Sequence, residues 1–281
     1  MRIDSHHHIW DLNVRPQTWM QGDEFKPISR TILMNELDPE LEKASISHTV
    51  VVQTVPLVDE TPELLNLSNS HPKVCAVVGW LDLESKDISP DLEKYLSHPF
   101  GNKLVSIRDL AQDKADPNWL MREDVIKNIH RVGEYGLTFD ILTKPNQLSA
   151  AIEMVRQSPN NTFVLDHISK PYIAKNEILP WADQISEIAS YENVSVKVSG
   201  LFTEANWRDW SHKTFRPYFD HILQSFTPKR MMFGSDWPVC MLAATYSQTI
   251  HLMEDLTMQL SEAEQDSFWF GTAKQFYRLK V

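Results

Sequence analysis

His6 and His8 stand two residues apart near the start of the chain, in the run Asp4-Ser5-His6-His7-His8. In an extended strand alternate side chains share a face, so Asp4, His6 and His8 would point one way and His7 the other. Two imidazoles at that spacing can converge on a single ion or a single substrate oxygen. The run also reads as a tag remnant or as two structural histidines, although only three histidines occur and they are embedded in a strand pattern. Two more groups of related chemistry lie far along the chain: His167, closing Leu165-Asp166-His167, and Asp236, within Gly234-Ser235-Asp236-Trp237-Pro238. Alone, His167 reads as a polar loop residue, and Asp236 as a helix N-cap as readily as a catalyst. Two histidines, a third and a carboxylate, each at the end of a strand-like run, form a constellation that coincidence explains less well.

Bringing these residues together is the work of the intervening elements. Short apolar, β-branched runs begin at Arg2, His48, Val74, Leu104, Leu137, Thr162, Val194 and Met231. Their starts are about 25 to 46 residues apart, near the 30 or so that a strand-helix-strand unit needs. Runs apolar on both faces suit a parallel sheet covered by helices. Helical periodicity fills the gaps. Leu120, Val125, Ile129 and Val132 pattern a helix from Leu120 to Glu134, with Gly133 and Gly136 placed to end it. A second spans Gln147 to Gln157, and Ser261 with Glu264 three residues on is a capping-box signature. Eight evenly spaced units favour an α/β (β/α)8 TIM barrel over a doubly wound sheet. No linker or composition shift divides the chain, so residues 1–281 read as a single barrel domain. Such a barrel gathers its site at the C-terminal ends of its strands, where all four residues fall.

Composition narrows the function classes. The 281 residues are 42% hydrophobic and 23% charged, enough to bury a large core. With 27 basic against 38 acidic residues the net charge is −11, which repels phosphate backbones and anionic lipid, so neither nucleic acid nor membrane is an expected partner. Cys75 and Cys240 are too few and too far apart for a zinc knuckle or a disulfide framework, and read as small buried hydrophobes in a reducing compartment. Arg2, Asp4 and the histidines interrupt any signal-peptide-like run at the start, and no stretch reaches the 18 or so apolar residues of a membrane span, so a cytoplasmic location is expected.

DSHHHIWD at the start, LDHISKP in the middle, VKVSGL after it and FGSDWPV near the end resemble the amidohydrolase superfamily. More narrowly they are similar to its sugar-lactonase branch, with L-fuconolactonase, L-rhamnonolactonase and 2-pyrone-4,6-dicarboxylate lactonase relatives. The resemblance runs from Ile3 to about Leu279, where GTAKQFYRL is similar to that branch's closing helix. HxH alone is a weak signal, whereas four blocks in this order are a strong one. The resemblance implies a distorted barrel of amidohydrolase type that hydrolyses esters or amides of small molecules. The family's strand-one pair falls on His6 and His8, its strand-six histidine on His167 and its strand-eight base on Asp236. Two positions depart from many relatives: Arg108 stands where a metal-bridging Lys or Glu is common, and Asp140 where a histidine is common. A two-metal site is therefore not implied. One divalent ion, zinc or similar, held by His6, His8 and Asp236 is, and so is a site that works without metal.

The function this suggests is opening of a small sugar aldonolactone, such as L-fucono- or L-rhamnonolactone. Asp236 would activate water, His167 would bond that water or the carbonyl, and His6 and His8 would polarise the carbonyl. Gln53, Arg108, Asp140 and Lys197 at other strand ends read equally as substrate contacts or as polar groups of the barrel layers. Of the nine tryptophans, Trp10, Trp80, Trp207 and Trp237 lie close to the motif blocks, and Trp237 is the candidate platform for a sugar ring. One carboxylate-reading arginine rather than a cluster favours a neutral lactone over a dicarboxylate. An assembly of identical chains is compatible with this reading. The alternatives are a metal-dependent decarboxylase of the same superfamily, which activates the substrate carbon rather than water, a phosphoesterase, which would need a basic cradle, and a sugar- or metal-binding barrel without activity.

Overall fold

The computed structural model describes residues 1–281. All eight apolar runs form strands: β1 Ile3–His7, β2 His48–Val52, β3 Val74–Gly79, β4 Leu104–Asp109, β5 Thr138–Ile141, β6 Phe163–Leu165, β7 Val194–Val198 and β8 Met231–Phe233. Helices α1 Met34–Lys43, α2 Glu60–Ser70, α3 Ser89–Leu96, α4 Glu123–Glu134, α5 Leu148–Gln157 and α6 Trp181–Ala189 connect the first seven. Between β7 and β8 run the short α7 Leu201–Glu204 and the longer α8 His212–Phe226, and α9 Tyr246–Thr257, α10 Glu262–Asp266 and α11 Thr272–Phe276 follow β8. The strands pair in parallel in sequence order, β1 to β8. The result is a nearly closed (β/α)8 barrel. No helix is long and apolar enough to cross a membrane.

Strands apolar on both faces feed two shells of core. The outer shell of 67 residues lies between strands and helices, and α4 contributes Val125, Ile129 and Val132 to it. The helix starts three residues later than its periodicity suggests, because Arg122 is extended at ψ 136° and Trp119–Met121 turn separately before it. It passes through Gly133 and ends where Gly136 adopts φ +77°, the left-handed position that glycine tolerates best. The inner shell is small: Ile3, Val50, Val52, Ala76, Val78, Val164 and Met232 fill the barrel's lower half. Ala273, Phe276, Tyr277 and Leu279, from α11 and the residues after it, close the floor beneath them.

Tyr277 does more than fill space. Its hydroxyl donates to Asp140 Oδ2 at 2.7 Å, and the Phe276 carbonyl accepts from Thr138 Oγ1 at 2.8 Å, so the chain's end is pinned to β5 from below. Tyr277→Phe keeps the ring and deletes a bond to a buried carboxylate, which should cost on the order of 1–3 kcal/mol. In a chain of this size that corresponds to a Tm lowered by roughly 2–4 °C per kcal/mol. A melt indistinguishable from wild type would show that the floor contact does not contribute.

Candidate active site

The barrel closes along the seam that carries the chemistry. From Asp4 to His7 β1 advances three residues while β2 advances only from Thr49 to Val51, so β1 carries one extra residue as a bulge. The bulge changes the alternation read from sequence. His6 and His8 face the barrel mouth as expected, but Asp4 turns outward, where its carboxylate accepts from the Ser235 amide at 2.9 Å and the Tyr246 hydroxyl at 3.1 Å. His7 faces outward too, with Nε2 3.0 Å from Thr49 Oγ1. Across the seam the Asp236 amide donates to the His6 carbonyl at 2.8 Å, and the His8 amide to the Trp237 carbonyl at 2.6 Å. The strand bearing two imidazoles is thereby stitched to the loop bearing the carboxylate.

His167 is placed by an unusual turn. Residues 167 to 170 all have positive φ, 52°, 47°, 57° and 48°, and none is glycine. Left-handed backbone costs an L-residue roughly 1–2 kcal/mol per position, so the surroundings must enforce it. They do so by burial, since His167, Ile168 and Ser169 are all buried, and by bonds from Trp181 Nε1 to the Ile168 carbonyl and between Ser169 and Thr143. His167 Nδ1 lies 2.8 Å from Ser199 Oγ, which turns Nε2 toward the mouth. Gly200 (φ +64°) follows, and a Cβ there would come within 2.7 Å of His167 Nδ1. Asp236 also sits at positive φ, 57°, which aims its carboxylate back over the barrel.

The four residues meet. Asp236 Oδ1 lies 3.5 Å from His8 Nε2, 3.8 Å from His6 Nε2 and 3.9 Å from His167 Nε2. His8 Nδ1 donates to the Val52 carbonyl at 2.7 Å, which leaves the Nε2 lone pair facing the cluster. Candidate ligand atoms of His6, His167 and Asp236 all lie within 4.8 Å of one another. That donor set, two imidazoles and one carboxylate with His8 beside them, fits one divalent ion of the zinc type. Arg108 stands at its flank, with Nη1 3.3 Å from His6 Nε2, and a guanidinium cannot act as a metal ligand.

Above the cluster opens a cavity of about 350 Å³. Its floor presents His8, His167, Asp236 and Arg108. Trp19, Phe25, Trp207, Val239 and Leu242 form an apolar wall, in which Phe25 meets both Trp19 and Trp207 edge to face. Lys170, Glu204, Gln112 and Thr203 supply polar groups. Four residues expected to contact substrate do not line this space. Gln53, Asp140 and Lys197 are fully buried, and Trp237 packs into the outer core. Lys197 Nζ instead bonds Asp140 Oδ2 at 2.6 Å and reaches Asp166 Oδ1 at 3.0 Å and His6 Nδ1 at 3.2 Å. Arg108 joins them through Asp166 Oδ2 at 2.9 Å, and its Nη2 donates to the Gln53 carbonyl at 2.6 Å. Sequence reasoning missed Lys170, Glu204, Trp19 and Phe25. Lys170 lies inside the LDHISKP block and could have been weighed there, whereas the others sit in loops and a short helix with no periodic signal.

Residues 3–279 match the family described as amidohydrolase. The chain is 32% identical to an L-fucono-1,5-lactonase of Burkholderia multivorans, over 99% of this chain and 96% of that one. It is 24% identical to an L-rhamnono-gamma-lactonase of Scheffersomyces stipitis, over 88% of each. A crystal structure of an amidohydrolase from Burkholderia multivorans with bound zinc superposes with a TM-score of 0.93 at 32% identity, covering 99% of both chains.

Burial sets the protonation of the cluster. It lowers His167 to about 4, against the pull of Asp236 and Asp166, and lowers His7 to about 3. His6 is held well below the usual histidine range by burial and by Lys197. Burial opposes the charge of Asp236, yet His167 and His8 keep it below the ordinary carboxylate value. The folded protein thus presents His6 and His167 neutral beside an ionised carboxylate. Unfolded, the same histidines titrate near 6.5 and bind protons that the folded state refuses. Their stabilising contribution is complete above about pH 6.5 and is lost progressively as pH falls toward 4. Asp4, raised to about 6 by burial, acts in the opposite direction. Glu60, Asp109, Asp140 and Glu204, also raised by burial, act with Asp4, so the histidine contribution is read as a difference. The urea midpoint, measured in chelator, should fall more between about pH 7 and 5.5 in wild type than in His7→Gln, and equal slopes would contradict a neutral His7.

Proposed function

The chain belongs to the amidohydrolase family, and from that premise we propose that it hydrolyses small sugar lactones with water activated by Asp236. The observation that carries this reading is the convergence of the Asp236 carboxylate with three imidazoles at the floor of a cavity of about 350 Å³, which Asp236, His8 and His167 line. The L-fucono-1,5-lactonase and L-rhamnono-gamma-lactonase relatives support the lactone as substrate class. An apolar wall opposite polar groups suits a sugar ring, which has an apolar side and hydroxyl edges.

Hydrolysis needs a base for water, partners for the oxyanion and an acid for the leaving alkoxide. Asp236 takes a proton from water as its oxygen attacks the lactone carbonyl carbon. His167 Nε2, fixed through Nδ1 by Ser199, holds that water or the carbonyl oxygen. When the tetrahedral intermediate collapses, the bond from the carbonyl carbon to the ring oxygen breaks, and Asp236 returns the proton to the departing oxygen. The products are a carboxylate and a free hydroxyl on one open chain. His6, His8, His167 and Asp236 would hold one divalent ion, whose contribution is Lewis-acid polarisation of oxygen. Arg108 beside His6 leaves no second ligand set, so one ion per chain is the ceiling.

A decarboxylase of the same superfamily is less supported. It requires a firmly held metal to activate carbon, and the relatives named above open lactones. A binding barrel without activity is less supported as well, since the relatives named above are hydrolases of lactones. The two cysteines are free, and we place the protein in a reducing cytoplasm on that ground.

Asp236→Asn tests the reading. The amide keeps the carboxylate's shape and cannot accept the water's proton, so kcat on aldonolactones should fall by on the order of 10²–10⁴. The thermal melt should stay near wild type. If Asp236 were only a helix N-cap, asparagine would serve as well and turnover would persist. Assays of acid release with and without chelator, on both proteins, decide between these outcomes.

A further inference from the structure

Besides Asp236, two sets of charged groups stand out around the barrel mouth. Lys197, Asp140, Asp166 and Arg108 pair with one another at distances from 2.6 to 3.0 Å, beneath the cavity except where Arg108 reaches its floor. Lys170 and Glu204 line the cavity itself, and their closest approach, Nζ to Oε1, is 3.7 Å. That separation is an ion pair without a hydrogen bond between them. The ammonium keeps donors free and the carboxylate keeps acceptors free. Both side chains are only about one-fifth exposed, 19% and 23%, so the groups are held at the cavity wall rather than spread into solvent.

Their positions are tied to the reacting end. Lys170 is the last residue of the left-handed turn that begins at His167, and its amide donates to the His167 carbonyl at 2.8 Å. Glu204 ends α7, which starts from Gly200, the glycine packed on the His167 ring. Any shift of His167 therefore moves the pair with it. A lactone whose carbonyl carbon lies at Asp236 extends its ring substituents into the space these two residues border.

Building on the lactone reading, we propose that Lys170 and Glu204 are specificity-determining residues that read a pair of adjacent ring hydroxyls on the substrate. A hydroxyl both donates and accepts. One hydroxyl of the pair accepts from Lys170 Nζ while its neighbour donates to Glu204, so that the substrate bridges the gap the two side chains leave. The apolar wall of Trp207, Val239 and Leu242 lies in the same cavity, and the ring's less polar side packs there. The site then selects lactones by the presence and orientation of hydroxyls, and not by a charged substituent.

The test is a cycle between enzyme group and substrate group. kcat and KM are measured for wild type, Lys170→Met and Glu204→Gln on a 1,5-aldonolactone and on analogues each lacking one ring hydroxyl. Wild type should lose roughly 10–100-fold in kcat/KM on the analogue that lacks a hydroxyl of the pair, as for a charge-assisted hydrogen bond. Each variant should lose a similar factor on the full lactone, chiefly through KM, and should no longer distinguish that analogue from the parent. This non-additivity marks direct contact. If variant and analogue losses multiply independently for every hydroxyl, while melts show both variants folded, the assignment is overturned and the pair is a surface ion pair only. If wild type opens none of the lactones, the hydrolase reading itself fails and the assignment falls with it.

Discussion

Lys197, sealed inside the barrel, and Arg108, buried up to the cavity floor, lie against Asp140 and Asp166, two cationic side chains with two acidic ones. Taking such charges out of water costs several kcal/mol each, and well-packed apolar residues are often as stable or more so. The arrangement is therefore poorly explained as a device for stability. Its geometric product is the position of His6, whose ring is flanked by Lys197 on Nδ1 and Arg108 on Nε2. Burial opposes the charge of Asp166, but Lys197, His6 and Arg108 together hold it well below the ordinary carboxylate value. With these charges matched below the cavity, Asp236 remains as the carboxylate on the cavity floor.

A second constraint operates from above. The turn at residues 167–170 stores backbone strain in four consecutive left-handed residues and spends it on orientation. It points His167 into the mouth and carries Lys170 to the cavity wall. Gly200 accepts the close approach of the His167 ring, so the loops after β6 and β7 pack directly on one another. Reacting end and recognition wall are thus parts of a single rigid corner, which is how binding energy from remote hydroxyls can position a carbonyl for attack.

The eight strands were legible from sequence because a barrel strand is apolar on both faces, a pattern that survives without knowledge of its neighbours. The motif residues were legible because strand ends define the mouth. Three things were not. The bulge in β1 carries no glycine or proline to mark it, and it alone decides that Asp4 turns outward. Alternation gives a side chain's face but not its depth, so Gln53, Asp140 and Lys197 look like cavity residues until the barrel's layers are built. The left-handed turn at His167 contains no glycine either, because tertiary packing rather than residue type imposes it.

If water, activated by Asp236, attacks the acyl carbon of a lactone, single-turnover hydrolysis in ¹⁸O-water shows where its oxygen goes. One label should enter the new carboxylate in the first turnover, and none should enter the hydroxyl released from the ring. An unlabelled carboxylate would mean that an enzyme oxygen, that of Asp236, attacked as a nucleophile. Label in the released hydroxyl would mean that the other carbon–oxygen bond had broken, and either result would contradict the account.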